Sequence, residues 1–289
     1  MKKFLVLLFT AMALMAFKND KPAYRIYNAE GNAVKYSKMV DALRQADVVF
    51  FGELHNNPIS HWLQIDLTKD LYDKKDGKII LGAEMFESDN QLLLNEYLKG
   101  EISKKSFEQE ARLWPNYETD YKPLVEFAKE HGLEFIATNI PRRYASVVYK
   151  RGFEALDSLS AEARSYIAPL PIEYDADLPG YKSMLDEMKG MGMSHLNENL
   201  PKAQASKDAT MAYSIAGALE DGTLFIHYNG SYHSDNHEGI VWYLNKYKPG
   251  LRILTITSVE QKDIEEMDPE YNNLADYIIV IPESMTKTH

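Results

Sequence analysis

Two short motifs share one grammar: Gly52-Glu53-Leu54-His55 and Gly230-Ser231-Tyr232-His233 each set a histidine three residues after a glycine. Both follow apolar, β-rich runs, Val48 to Phe51 and Leu224 to His227. A third run, Ile79 to Leu81, leads into Gly82-Ala83-Glu84. Glu53, His55, Glu84 and His233 are therefore the candidate reactive residues. Imidazole and carboxylate together suit two tasks. They ligate borderline or hard cations such as Zn, Mn or Fe. They also act as general base and orienting partner once burial and neighbouring charge tune their pKa values. Any one of the four reads equally well as a hydrogen-bonding group at a loop start. Four of them at the ends of separate apolar runs point to one polar site.

Such a site needs strands that end side by side. The apolar runs are Val48 to Phe51, Ile79 to Leu81, Glu134 to Ala137, Leu224 to His227, Leu251 to Ile256 and Tyr277 to Ile281, separated by amphipathic stretches. This alternation predicts an α/β fold, a mostly parallel central sheet covered by helices on both faces. In an open parallel sheet, ligands bind outside the carboxyl ends of the strands. Each glycine is expected to let the chain turn sharply as it leaves its strand, so that the histidine points back over the sheet edge. Ahead of these runs, Tyr24 to Tyr27 and Val34 to Tyr36 read as a hairpin, and Ser37 as the N-cap of a helix through Ala46. Residues 158–211 carry helical patterns broken by Pro169, Pro171, Pro179 and Pro201, with no strand. They read as a helical cap or insertion within a single domain spanning residues 24–285.

The other histidines carry less weight. His61 falls on the helix after His55 and reads as structural. His227 lies inside a strand and reads as a core or near-site group, and His237 follows His233 closely enough to support it. His131 and His289 read as surface residues. Residues 184–211 hold Met184, Met188, Met191, Met193, His195 and Met211. Methionine is an adaptable filler of apolar pockets, and haem iron is commonly held by His, Met or Tyr. The stretch therefore reads either as a helix packing its Met face on the sheet or as part of a pocket for a large flat ligand, with His195 as an axial candidate.

The net charge of −11 leaves nothing to neutralise phosphates, which argues against nucleic acid as a partner. At the N-terminus, Lys2 and Lys3 precede an apolar run from Phe4 to Phe17. This is the pattern of a secretory signal, residues 1–17, and is shorter than the ~20 residues of a membrane span. The expectation is an exported protein of the periplasm or cell envelope. The sequence has no cysteine, so a Cys-anchored lipoprotein, disulfides and thiolate metal sites are all excluded.

Phe-Gly-Glu-Leu-His at 51–55, Gly-Ala-Glu-Met-Phe-Glu at 82–87 and Asn-Gly-Ser-Tyr-His at 229–233 resemble the ChaN-like haem-binding uptake proteins of the Tiki superfamily. Gln204, Lys207-Asp208 and Met211-Ala212 resemble that family's Ala-Gln-x-x-x-Asp-x-x-Met-Ala helix. The resemblance spans about Val48 to Tyr247. It implies a doubly covered α/β sheet and an exported protein that binds haem or iron for uptake, with haem as the leading cofactor. Tiki and erythromycin-esterase relatives imply an alternative, a metal-dependent peptidase or esterase using Mn, Zn or Co. On that carry-over His55 and His233 are metal ligands or bases, with Glu53 and Glu84 as partners. Gln204 and Asp208 share a helix face toward the pocket, and Arg142 or Arg143 holds an anionic group of the ligand. The implied partners are haem or another small ligand, an outer-membrane receptor or transporter, and a second copy of the chain.

Overall fold

Alternation inside the apolar runs sets the architecture. Val48 and Phe50 pack into one buried layer, Val49 and Phe51 into another, and all four are fully buried. A strand with apolar residues on both sides must be covered on both sides. In the computed structural model, which describes residues 21–190 and 197–288, the strands are β1 (Arg25–Asn28), β2 (Val48–Glu53), β3 (Ile79–Glu87), β4 (Phe135–Asn139), β5 (Leu224–Gly230), β6 (Ile253–Gln261) and β7 (Tyr277–Pro282). They form one sheet in the order β1-β7-β6-β2-β5-β3-β4. Every pairing is parallel except that of the edge strand β1 with β7.

The helices are α1 (Tyr36–Leu43), α2 (Pro58–Lys74), α3 (Gln91–Leu98), α4 (Lys104–Glu110), α5 (Lys122–His131), α6 (Arg142–Arg151), α7 (Ala161–Arg164), α8 (Pro179–Gly190), α9 (Leu200–Ala218) and α10 (Ile240–Tyr247). One layer sets Met39, Leu63, Leu67, Leu71, Leu94 and Leu124 of α1, α2, α3 and α5 against Val49, Phe51, Leu81 and Ile226. The other sets Val148, Ala205, Ala209, Ala212 and Leu244 of α6, α9 and α10 against Val48, Phe50, Ile80 and Phe225. Between Ser158 and Met211 the chain forms helices and no strand among the described residues, as its sequence reads, and α9 continues that segment onto the sheet.

The strand order creates one place where ligands belong. From β2 the chain crosses over β5, by way of α2, to reach β3. From β5 it crosses over β2, by way of α10, to reach β6. Neighbouring strands β2 and β5 therefore send their connections to opposite faces, and a crevice opens at their carboxyl ends. Both Gly-x-x-His motifs sit there.

Three local expectations are corrected. Val34 to Tyr36 does not form a second hairpin strand. Only an isolated bridge, Tyr27 to Ala33, remains, because β1 spends its ladder on β7 in a four-residue register and Tyr36 already belongs to α1. Ser37 is not the N-cap of that helix; Lys35 holds the position, without a side-chain cap bond. The motif glycines are also not turn residues. Gly52 and Gly82 lie inside β2 and β3, Gly230 is the last residue of β5, and all three are sites of close approach. A Cβ at Gly52 would come 2.9 Å from the Ser231 Cα, and one at Gly82 2.7 Å from the Phe225 ring.

Candidate functional site

Glu53 ends β2, and His55 follows it in the turn before α2. The His55 Nδ1–H donates to Glu53 Oε1 at 2.9 Å. Glu53 is 1% exposed and is held from below. The Tyr121 hydroxyl donates to Oε1 at 2.7 Å and the Gln64 amide to Oε2 at 2.5 Å. His61 on α2 and Asn116 both donate to the His55 carbonyl, each at 3.1 Å, which pins the turn. The His55 side chain is 41% exposed and meets the Trp114 ring edge-on at 5.0 Å. Burial opposes charge on the His55 ring, but the Glu53 hydrogen bond and the Glu84 and Glu53 charges outweigh it, and its pKa is raised.

The second arm is buried. Glu84 lies within β3, not after it, because that strand runs on to Glu87. The His233 ring sits between two carboxylates, Glu84 Oε1 at 3.0 Å from Nε2 and Asp208 Oδ1 on Nδ1. Asp208 also accepts from the Tyr181 hydroxyl at 2.7 Å, and Glu84 Oε2 accepts from the Gly230 N–H at 2.8 Å. The Gln204 amide lies against the ring, 3.0 and 3.1 Å from its two nitrogens. Burial opposes the imidazolium, yet the Glu84 and Asp208 charges overcome it and push the His233 pKa up to about 9. In return, and against its own burial, Glu84 is held well below the usual carboxylate range by His233. With both ring nitrogens donating, His233 is a buried cation at neutral pH.

The two arms meet at Gly230. A Cβ there would lie 2.7 Å from His55 Nε2 and 3.6 Å from Glu84 Oε2. The four sequence-derived residues thus converge, and Gln204 and Asp208 join them from α9. Their carboxylates are occupied by hydrogen bonds from His55, Tyr121 and Gln64 at Glu53 and from His233 and the Gly230 N–H at Glu84. Among the described residues no group of three or more His, Asp or Glu side chains is arranged to hold a metal ion. The metal-ligand role expected of Glu53, His55, Glu84 and His233 therefore has no prebuilt coordination geometry. What the arrangement offers is a half-exposed imidazole oriented by a buried carboxylate, beside a stored imidazolium.

These residues floor a cleft of about 1110 Å³. Arg112, Leu113, Trp114 and Pro115 form one wall. The other carries Arg142, Ala145, Ser146 and Tyr149 of α6, Met184 of α8 and Ala203, Gln204 and Lys207 of α9. The α6 spacing i, i+3, i+4, i+7 is one helical face. Arg142 therefore lines the cleft. Of the two arginines read as alternatives, Arg143 is not among the cleft-lining residues and pairs with Asp89 at 2.5 Å. His195, like residues 1–17, lies outside the described residues. His227 is a core group: Thr138 and Asn229 take its two nitrogens at 2.8 and 3.0 Å, and burial lowers its pKa to about 4. His237 bonds Asp276 at 3.1 Å rather than His233. Tyr121, Gln64 and Trp114 carry no motif that the sequence could have flagged.

A family model described as haem-binding uptake, Tiki superfamily, ChaN matches residues 39–244, more than half of the chain. The solved structure of cofacial haem binding to ChaN of Campylobacter jejuni superposes with a TM-score of 0.68 at 17% identity, covering 89% of this chain and 96% of that one. A Bacillus cereus protein superposes with a TM-score of 0.51 at 11% identity, covering 85% and 90%. These likenesses are of fold. The protein RETICULATA-RELATED 5, chloroplastic, of Arabidopsis thaliana is 25% identical over 226 residues, 71% of this chain. The chain spans only 30% of that protein's length.

Proposed function

This chain belongs to the ChaN family of haem-binding uptake proteins in the Tiki superfamily, and from that premise we propose that its cleft takes haem as cargo. The observation that carries the reading is the cleft at the β2–β5 switch point. Its volume of about 1110 Å³ exceeds the ~300–1,000 Å³ of ordinary small-ligand pockets. Leu113, Trp114, Ile140, Tyr149 and Met184 give it flat aromatic and apolar surface. Haem iron is commonly held by His, Met or Tyr. Tyr149 and Met184 present such groups on the wall and His55 on the floor, with His195 a further candidate. We place the protein in the periplasm or cell envelope, exported by residues 1–17. It serves haem or iron uptake, and an outer-membrane receptor or transporter is the partner for transfer. The Lys2-Lys3 start and the apolar run after it support export. Among the described residues no helix is long and apolar enough to cross a membrane.

Titration of the purified protein with haemin tests the reading. The expected result is a shifted Soret band that saturates and is altered in Tyr149→Phe, Met184→Leu or His195→Ala. An unchanged spectrum through stoichiometric haemin overturns it. Sequencing the N-terminus of protein recovered from the periplasmic fraction tests export.

A second reading, hydrolysis of an ester or amide, rests on one observation: the half-exposed His55 ring is oriented by buried Glu53 as a general base is. Turnover of an ester or peptide library that vanishes in His55→Ala would support it. A protein that binds haemin tightly and is inert on such libraries, with and without Mn, Zn or Co, would count against it.

A further inference from the structure

Asp208 has a second partner, on the side away from the cleft floor. One of its oxygens holds His233, and the other accepts from the Tyr181 hydroxyl of α8 at 2.7 Å. Tyr181 is 4% exposed, and burial together with the Asp208 charge keeps its phenol protonated. Met184, one turn further along α8, lines the cleft. From Tyr181 a file of phenols leads outward. The Tyr174 ring lies 5.7 Å from that of Tyr181, centroid to centroid. The Tyr243 hydroxyl donates to the carbonyl of Glu173, the residue before Tyr174, at 2.5 Å. Tyr243 and Tyr247 are one turn apart on α10 and stack at 6.2 Å. Tyr247 meets Tyr213 of α9 at 5.8 Å, and Tyr213 is 46% exposed. A side branch is disfavoured. Trp242 lies 4.7 Å from Tyr243, but the Lys246 ammonium sits 4.2 Å from the indole centre, and a cation held there opposes loss of an electron from that ring. Apolar packing explains the rings but not the hydroxyls. Phenylalanine would fill the same space without needing a buried polar partner.

We infer that Tyr181, Tyr174, Tyr243, Tyr247 and Tyr213 form a relay that carries electrons from the protein surface to the cleft, with Asp208 as the proton acceptor at its inner end. A phenol gives up an electron readily only if its proton leaves as well, and Tyr181 has a carboxylate in place to take it. The oxidant is peroxide reduced at an iron porphyrin in the cleft, and for that alone the relay rests on the haem reading. Hydrogen peroxide takes two electrons and two protons and leaves as two waters. Each electron comes from Tyr181, whose O–H bond breaks as the proton passes to Asp208, leaving a neutral tyrosyl radical. An electron from Tyr174 refills it and Asp208 returns the proton. The vacancy moves by Tyr243 and Tyr247 to Tyr213, where a solvent thiol is oxidised. Two thiols give a disulfide and two protons, so the net reaction is oxidation of two thiols by one peroxide. The relay spares the ligand and the cleft walls from oxidation.

Because the sequence has no cysteine, Met184→Cys provides a unique thiol for tethering a ruthenium photo-oxidant in the full chain, without haem. Flash oxidation with a sacrificial electron acceptor is followed by electron paramagnetic resonance. A nitrone spin trap and peptide mass spectrometry locate the radical, with circular dichroism as the folding control. The expected result is a tyrosyl radical with the trap on Tyr213. Tyr181→Phe and Tyr247→Phe should each abolish the Tyr213 adduct, and Tyr271→Phe, off the file, should leave it unchanged. Absence of a tyrosyl radical overturns the relay, as does a Tyr213 adduct that survives both Tyr181→Phe and Tyr247→Phe. Haemin and peroxide then replace the flash in the chain without the tether. The same adduct pattern supports the relay with haem as its oxidant site. A relay that works under the flash while the chain fails to bind haemin overturns the haem reading alone.

Discussion

The two Gly-x-x-His arms are alike in sequence and opposite in physics. On the β2 arm, Glu53 is buried and His55 reaches out: three donors saturate the carboxylate, and the ring is 41% exposed. On the β5 arm the histidine is the buried partner, 4% exposed, with a carboxylate at each nitrogen. The difference comes from α9. That helix brings Asp208 and Gln204 over His233, whereas His55 meets only the edge of Trp114 and stays half-exposed. A repeated motif therefore yields one imidazole free to meet a ligand and one locked as a structural cation.

This asymmetry can be broken from either side. The largest effect is expected from Glu84→Ala, which leaves His233 Nε2 and the Gly230 N–H without their acceptor while Asp208 remains on Nδ1. Removing one member of a buried pair costs about 3–5 kcal/mol, and chemical denaturation would read it. A loss under 1 kcal/mol would mean that Asp208 alone suffices to hold His233.

The pH dependence tests the same point. His233 has a folded pKa of about 9 against ~6.5 unfolded. Its contribution is thus fully present below pH ~6.5 and is lost as pH rises toward 9. Stability should fall across that window in wild type and lose that component in His233→Gln; an identical slope in both would reject the assignment.

Gly230→Ala addresses the contact between the arms. Its Cβ would lie 2.7 Å from His55 Nε2, an overpacking worth about 1–3 kcal/mol. His55→Ala added in the same chain should recover part of the loss, and strictly additive stabilities would place the two residues apart. The smallest effect on stability is expected from His55→Ala alone, within about 1 kcal/mol, since Tyr121 and Gln64 still satisfy Glu53. A larger loss would make the open arm structural as well.

Much of this was legible beforehand, for identifiable reasons. Strand periodicity is a property of neighbouring residues, so β2 to β7 could be read from runs such as Val48 to Phe51. The strand ends told where Glu53, His55, Glu84 and His233 should gather, because parallel strands align their carboxyl termini. Asp208 and Gln204 were legible only through the resemblance of their helix to a family pattern. Other features were not legible. Tyr121 and Gln64 hold Glu53 from elements with no distinguishing signal, and Arg142 and Arg143 are indistinguishable until α6 has a fixed rotation. The glycines read as turns in the sequence, which reveals a missing side chain but not the neighbour that would collide with it.

By itself, then, the sequence determined the layered α/β class, the strand ends and the acid–imidazole chemistry, since these follow from local periodicity and residue type. Only the tertiary structure decided which imidazole is exposed, which of Arg142 and Arg143 lines the cleft and what a side chain at Gly230 would meet. Those depend on packing between segments far apart in the chain, and no local pattern encodes the distance between them.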